Sequence, residues 1–215
     1  MRIKCTFAEP ALGSLSGNRE VTAEYIASKA DTPEKMAEEV EAVPDIEETL
    51  QKATTVFART PDGKPQIWDY QVRGFFKAAA LALSESGQYT KEHLKKFKLT
   101  PYTYKRTIDT QVFVFPRKIP LILPEDGAVG FVERPLRAET MRGPRIALAR
   151  SESVPAGTTF DIEVEWLNDK LGDWVKSWLD YGRYSGIGQW RNGSYGRFTW
   201  EEGDNTVKAG RCAAV

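Results

Sequence analysis

The chain has 215 residues, 41% of them hydrophobic and 11% aromatic, enough for a packed core that folds unaided as one large or two small domains. Its 30 basic and 30 acidic residues cancel, so net charge alone points to no partner. One histidine and two cysteines at opposite ends, Cys5 and Cys212, exclude a structural zinc site and predict reduced thiols. No apolar run reaches membrane-spanning length, and Arg2 to Phe7 enters strand-like alternation with no signal-peptide core, which predicts a cytoplasmic protein without a membrane partner. The charges are unevenly spread. Acids dominate from Glu24 to Glu48, whereas Lys91 to Arg150 carries about twice as many bases as acids.

In chain order, Ile3, Cys5 and Phe7 alternate with Lys4 and Thr6 and predict a first strand ending before Pro10. Ala11 to Asn18 is rich in glycine and serine and suits a loop, and Arg19 to Ile26 a short strand. Asp31-Thr32-Pro33-Glu34 opens a polar helix to about Glu41, and its thin apolar face makes the acidic stretch at about 27–52 a peripheral insertion. Thr55 to Arg59, the turn Pro61 to Pro65, and Gln66 to Trp68 read as a hairpin. Asp69 is the expected N-cap of a helix whose stripe is Val72, Phe75, Phe76, Ala79, Ala80 and Leu83, with Arg73 and Lys77 on another side and Gly87 as its stop.

Lys91 to Phe97 is a second helical piece bearing His93. Tyr102 to Leu123 is aromatic, β-branched and basic, and predicts a long hairpin broken by Pro116 and Pro120. Phe131 to Gly143, with Arg134, Arg137 and Arg142, reads as an exposed arm leading into a strand from Arg145 to Arg150. Phe160, Ile162, Val164 and Trp166 alternate cleanly with acids and define a strand. Asp169 is the expected cap of a last helix with Leu171, Trp174, Val175, Trp178 and Leu179 on one face.

Between that helix and a final strand lies Ser185 to Trp200. Gly186, Gly188, Gly193 and Gly196 remove every Cβ from a segment that also carries Gln189, Arg191, Asn192 and Arg197, so amides and guanidinium groups can approach a phosphate. The bland alternative is a long turn with Trp190 and Tyr195 packed on the core. Without its insertions the element order is strand, helix, strand, strand, helix, strand, which predicts an α+β, ferredoxin-like (RRM-like) core in a single domain over 1–215, with a basic hairpin or arm inserted at about 96–145.

Two motifs bear a family resemblance. Gly186 to Phe198 resembles the terminal glycine-rich loop of the RAMP superfamily, the RNA-binding proteins that build CRISPR effector complexes, and Gln66 to Lys77 resembles the segment opening the first helix of their backbone subunits. The resemblance implies that Gln71, Arg73 and Lys77 on one side and Arg191 and Arg197 on the other contact an RNA backbone. It also implies a β-hairpin thumb, for which the basic, aromatic Lys96 to Lys118, including Lys105 and Arg106, is the analogous segment.

Catalysis is not expected. His93 sits among Lys91, Glu92, Lys95 and Lys96 on what reads as a solvent-facing helix, Ala8 to Ser16 offers no loop aspartate, and no P-loop, nucleophile elbow or metal triad appears. The leading expectation is therefore a non-catalytic protein binding single-stranded RNA or DNA, RNA preferred, without cofactor or metal. Its phosphate contacts would come from Arg and Lys, and stacking from Tyr102, Tyr104, Phe113, Phe115 or Trp190, although alternation assigns those rings equally well to sheet packing. Self-assembly would pair the acidic segment with the basic arm of a neighbour. Two other readings stay open: a receptor for a small or cyclic nucleotide, as a sponge in phage–host conflict would be, and a structural protein that self-associates by charge.

Overall fold

The computed structural model describes residues 1–17, 54–140 and 143–203. The acidic insertion, the strand expected over 19–26, the helix expected over 34–41, Arg142 and Cys212 lie outside the described residues.

The first strand, β1 (Arg2–Phe7), buries Ile3, Cys5 and Phe7, as its alternation requires. It is an inner strand of a four-stranded antiparallel sheet. Strand β12 (Phe198–Glu202) lies on one side of it and β11 (Thr159–Trp166) on the other, with β7 (Val112–Phe115) beyond β11, so the order is β12-β1-β11-β7. Cys5 sits opposite both Phe160 and Trp200. One face of this sheet is covered by helices α1 (Asp69–Glu85) and α4 (Gly172–Asp180). Their stripes are those read from the sequence: Val72, Phe75, Phe76, Ala79 and Ala80 on α1, and Trp174, Val175, Trp178 and Leu179 on α4. Rings lock the layers together, with Phe75 5.0 Å from Phe198, Phe76 5.7 Å from Trp178, and Phe7 5.1 Å from Phe160. The architecture is α+β.

Cys5 lies in this core with its thiol fully buried. Burial, and secondarily the Asp161 carboxylate, push the thiol well above its ordinary range. It is therefore expected to resist a thiol-specific alkylating reagent in the native protein and to react at once in denaturant. Rapid native-state labelling, read residue by residue by mass spectrometry, would contradict this placement.

A second sheet holds β2 (Ala11–Leu12), β10 (Gly143–Val154), β4 (Thr54–Val56) and β3 (Leu15–Ser16) in that order, with β9 (Gly130–Thr140) paired to β10. A third consists of β5 (Ala58–Arg59), β6 (Pro65–Trp68) and β8 (Lys118–Pro120). The pairing of β5 with β6 is the hairpin expected around the turn at 61–65.

Several expectations are corrected. Ala11 to Ser16 is not simply a loop. It forms β2 and β3, because Ala11, Leu12 and Leu15 are buried against β10 and β4 and Gly13 passes so close to Val56 that a Cβ would fall 2.3 Å from its carbonyl carbon. The hairpin expected over Tyr102 to Leu123 does not form. Tyr104, Thr107 and Ile108 instead build the buried stripe of helix α3 (Tyr104–Gln111), which packs on α1, and β7 and β8 leave for different sheets. Burial of that stripe overrides the β-propensity of its residues. The long two-stranded ribbon is β9–β10, from Gly130 to Val154.

The caps differ as well. Trp68, not Asp69, is the N-cap of α1, and its amide donates to the Gln71 Oε1 at 2.7 Å, while Asp69 enters the first turn. Asn168, not Asp169, accepts the Lys170 amide and starts the 3-10 turn leading into α4. Helix α2 (Lys91–Phe97) has the expected exposed His93, whose ring packs beside Tyr89, Phe97 and Trp174.

Candidate functional site

The start of α1 and the glycine-rich loop meet. Between them lies a cleft of about 240 Å³ lined by Ser14, Leu15, Tyr70, Gln71, Gly74, Phe75, Ile187, Gly188 and Arg191. Gln71 is fixed twice, accepting from the Trp68 amide and donating Nε2–H to Ser14 Oγ at 2.6 Å, so its position follows from capping the helix. Gly74 stands inside a helix, where glycine costs about 1 kcal/mol relative to alanine, yet a Cβ there would meet nothing within 4 Å. Packing does not require this glycine. It leaves the mouth of the cleft open.

Three of the loop glycines are required by close approach of backbone to backbone. A Cβ on Gly186 would fall 1.9 Å from the Gly196 backbone, one on Gly196 1.9 Å from the Ile187 oxygen, and one on Gly188 2.5 Å from the Leu12 oxygen. The loop is folded on itself and on the segment after β1. The Ile187 amide donates to the Gly196 carbonyl, Gly196 to Pro10, and Gln189 to Leu12, at 3.0, 2.9 and 3.2 Å. Those three amides are occupied by carbonyls rather than held out to solvent.

Arg191 is half-buried in the 3-10 turn Arg191–Gly193, lines the cleft, and has no carboxylate partner among the described residues. Asn192 and Gly193 beside it are exposed. Arg197 is held by Ser194 Oγ through Nη2, and its Nε is buried without a partner among the described residues. Arg73 pairs with Asp69 at 3.0 Å and Lys77 with Asp109 of α3 at 2.5 Å. Such partly exposed pairs are worth about 0–1 kcal/mol each, weak enough to open toward a stronger anion. Lys105 and Arg106 are exposed on α3, with the Lys105 ammonium 5.9 Å from the Tyr104 ring centre.

Tyr104 itself is 5% exposed and belongs to the core, so it offers no ring to a ligand, whereas Tyr102 is 96% exposed. Trp190 and Tyr195 do not close over the core as a plain turn would. They stack on each other at 5.3 Å with planes 13° apart. Arg134, expected on an exposed arm, is instead buried, with its guanidinium 4.4 Å from the Trp190 ring centre and Nη2 donating to Gln189 Oε1 at 3.4 Å. No local signal marks Arg134 or Ser14 in the sequence, because each reaches the site from a distant strand or turn.

A depression of about 300 Å³ lies on the outer part of the loop, beside Glu9, Pro10, Gly193, Ser194 and Tyr195, and two larger ones lie elsewhere. One of about 590 Å³ is on the sheet beside Lys4 and Asp161, and one of about 660 Å³ is beside Lys91, Lys95 and Tyr102. Neither joins the helix start to the glycine loop. Among the described residues no three His, Cys, Asp or Glu side chains cluster as a metal site, and no helix is long and apolar enough to cross a membrane.

No family model matches the chain, and no curated protein matches it in sequence. In structure it is similar to a chain of the Type III-B Cmr-beta bound to cognate target RNA, with TM-score 0.51 and 11% identity over 94% of this chain and 58% of that one. This chain thus spans little more than half the length of that neighbour. It is also similar to a chain of a Type IV-B CRISPR complex (TM-score 0.49, 10% identity, 100% and 94% covered) and to Cmr6 from Pyrococcus furiosus (0.49, 12%, 93% and 97%).

Proposed function

We propose that this chain is a non-catalytic, RAMP-like subunit that binds single-stranded nucleic acid, RNA in preference to DNA, with its sugar–phosphate backbone in the cleft between the start of α1 and the glycine-rich loop. The sheet order supports a ferredoxin-like core: β1, β7, β11 and β12 stand as the four strands of a βαββαβ unit with α1 and α4 as its helices. The Cmr-beta assembly, whose chain this one resembles in fold, is bound to target RNA, which accords with the reading.

The observation that carries it is the pairing of Gly74 with Arg191. A helix-interior glycine that nothing crowds faces the same cleft as a guanidinium with no carboxylate partner among the described residues, so space and charge are provided at one place. Arg73 and Lys77 continue the basic line along α1, and Ser14 Oγ with Gln71 Nε2 offers hydrogen bonds to a ribose hydroxyl. A volume of about 240 Å³ accommodates a phosphate and ribose, and is below the usual range of about 300–1,000 Å³ for small-molecule pockets, which favours a polymer over a free nucleotide.

The test compares labelled oligonucleotides of increasing length with a mononucleotide across a salt titration. Affinity is expected to rise with length and to fall with log salt at about −0.7 per phosphate neutralised. Gly74→Leu is expected to keep or raise thermal stability, since leucine is the better helix former, while weakening oligonucleotide binding about 10-fold by filling the cleft mouth. Equal affinity for mononucleotide and oligomers, with little salt dependence, would replace this reading by a small-nucleotide receptor.

A further inference from the structure

We propose that the ring of Trp190 is the seat of one unstacked base of the bound strand, and that Arg134, which occupies that ring in the free protein, yields it and takes an adjacent phosphate. The inference rests on the nucleic-acid reading above and adds to it a position and an exchange.

The first observation is backbone strain. Trp190 has φ +53° and Ser194 φ +72°, both in the left-handed region, where a bulky aromatic is a conformational outlier that the surroundings must hold in place. Burial of the ring does not offset that strain, for Trp190 remains 41% exposed while Ile187 and Gly196 in the same loop are buried. The loop is nevertheless shaped to the indole. A Cβ on Gly193 would come within 3.0 Å of the ring, and Tyr195 stacks on it. A strained, supported and partly open aromatic is a presented one.

The second observation is what lies over it. A guanidinium has five N–H groups to satisfy, yet Arg134, 7% exposed, has Nε and Nη1 buried without a hydrogen-bond partner among the described residues, and Nη2 makes a long bond to Gln189. Burial pulls its pKa below the ordinary arginine value, with Tyr195 acting the other way, and it stays charged at neutral pH. The cation is thus held on a π-face while most of its hydrogen-bonding capacity finds no partner among the described residues. A nucleobase covers an indole as a guanidinium does, and a phosphate supplies the paired acceptors that the guanidinium lacks. A strand brings both at once. A free phosphate or a free base replaces only half of the contact, so the exchange selects for a base and a phosphate presented together.

The test uses the full chain with an oligoadenylate and an abasic ribose–phosphate strand of equal length. Trp190→Ala is expected to weaken oligoadenylate binding about 10-fold, within the roughly 5- to 150-fold that one base stack carries, and to leave the abasic strand unchanged. Trp190→Phe, which keeps a ring, is expected to retain most of the affinity and serves where the alanine variant folds poorly. Arg134→Met is expected to change the Trp190 contribution to free-protein fluorescence, taken as the difference from the Trp190→Phe background, and to lower the salt slope by about 0.7 on both strands. If both strands bind the wild type but Trp190→Ala weakens them equally, or Arg134→Met leaves the slope unchanged, the exchange is wrong and the nucleic-acid reading survives. If neither strand binds the wild type, the nucleic-acid reading falls and takes this one with it.

Discussion

Gly196→Ala is expected to destabilise the protein by about 2–5 kcal/mol, a large part of the roughly 5–15 kcal/mol that holds a domain of ordinary stability together. The residue has φ +69°, which costs an L-residue about 1–2 kcal/mol. Its new Cβ would lie 1.9 Å from the Ile187 carbonyl oxygen, which is backbone and not the end of a flexible side chain. Relief requires moving the loop, and with it the Gly196 amide bond to Pro10 and the Ile187 amide bond to the Gly196 carbonyl, each contributing about 0.5–1.5 kcal/mol. Gly63→Ala serves as the contrast. It has φ +82° but open space around it, so its cost is the conformational part alone, about 1–2 kcal/mol. Urea unfolding followed by far-ultraviolet circular dichroism measures both. Equal losses at the two positions would mean that the loop yields freely and that its self-contact is not a constraint.

That result bears on how the site is held. The glycine-rich loop closes against Pro10 and Leu12, which directly follow β1, an inner strand of the main sheet, and it leads into β12, the strand on one side of β1. The loop is therefore braced along its length by the Pro10–Leu12 segment and at its C-terminal end by the β1–β12 pair. The sequence displayed the glycines but not their purpose. Four glycines among arginines read equally as an anion-binding loop or as a long turn with Trp190 and Tyr195 packed on the core, and neither reading foresaw how closely Gly186 approaches Gly196.

Elsewhere legibility followed the length of the pattern. The alternation in β11 and the stripes of α1 and α4 each commit several residues to one buried face, and these were readable. Helix α3 was not, because Tyr104, Thr107 and Ile108 favour strands individually and become a helical face only once α1 is there to receive them. The meeting of α1 with the loop came from family resemblance and not from any periodicity. Arg134 could not be placed at all: its partners Gln189 and Trp190 lie more than fifty residues away, and its immediate neighbours on β9 read as an exposed arm.

Arg191→Glu is expected to lower the affinity for single-stranded RNA by roughly 30- to 150-fold, or about 2–3 kcal/mol, with no loss of thermal stability. Among the described residues Arg191 has no carboxylate partner, so its replacement breaks no ion pair, whereas reversing Arg73 or Lys77 would leave Asp69 or Asp109 facing a like charge. The magnitude combines a lost charge-assisted hydrogen bond with the repulsion of a carboxylate set in a small cleft beside a phosphate. Arg191→Lys separates the two. It keeps the charge but loses the planar fork, and is expected to cost several-fold in affinity while preserving the salt slope, which in the glutamate variant falls by about 0.7. Anisotropy titrations of one labelled oligonucleotide at several salt concentrations read both quantities. If the glutamate variant binds like the wild type, the strand does not enter between α1 and the loop, and the Arg191 guanidinium there is a surface charge with no polymer to meet.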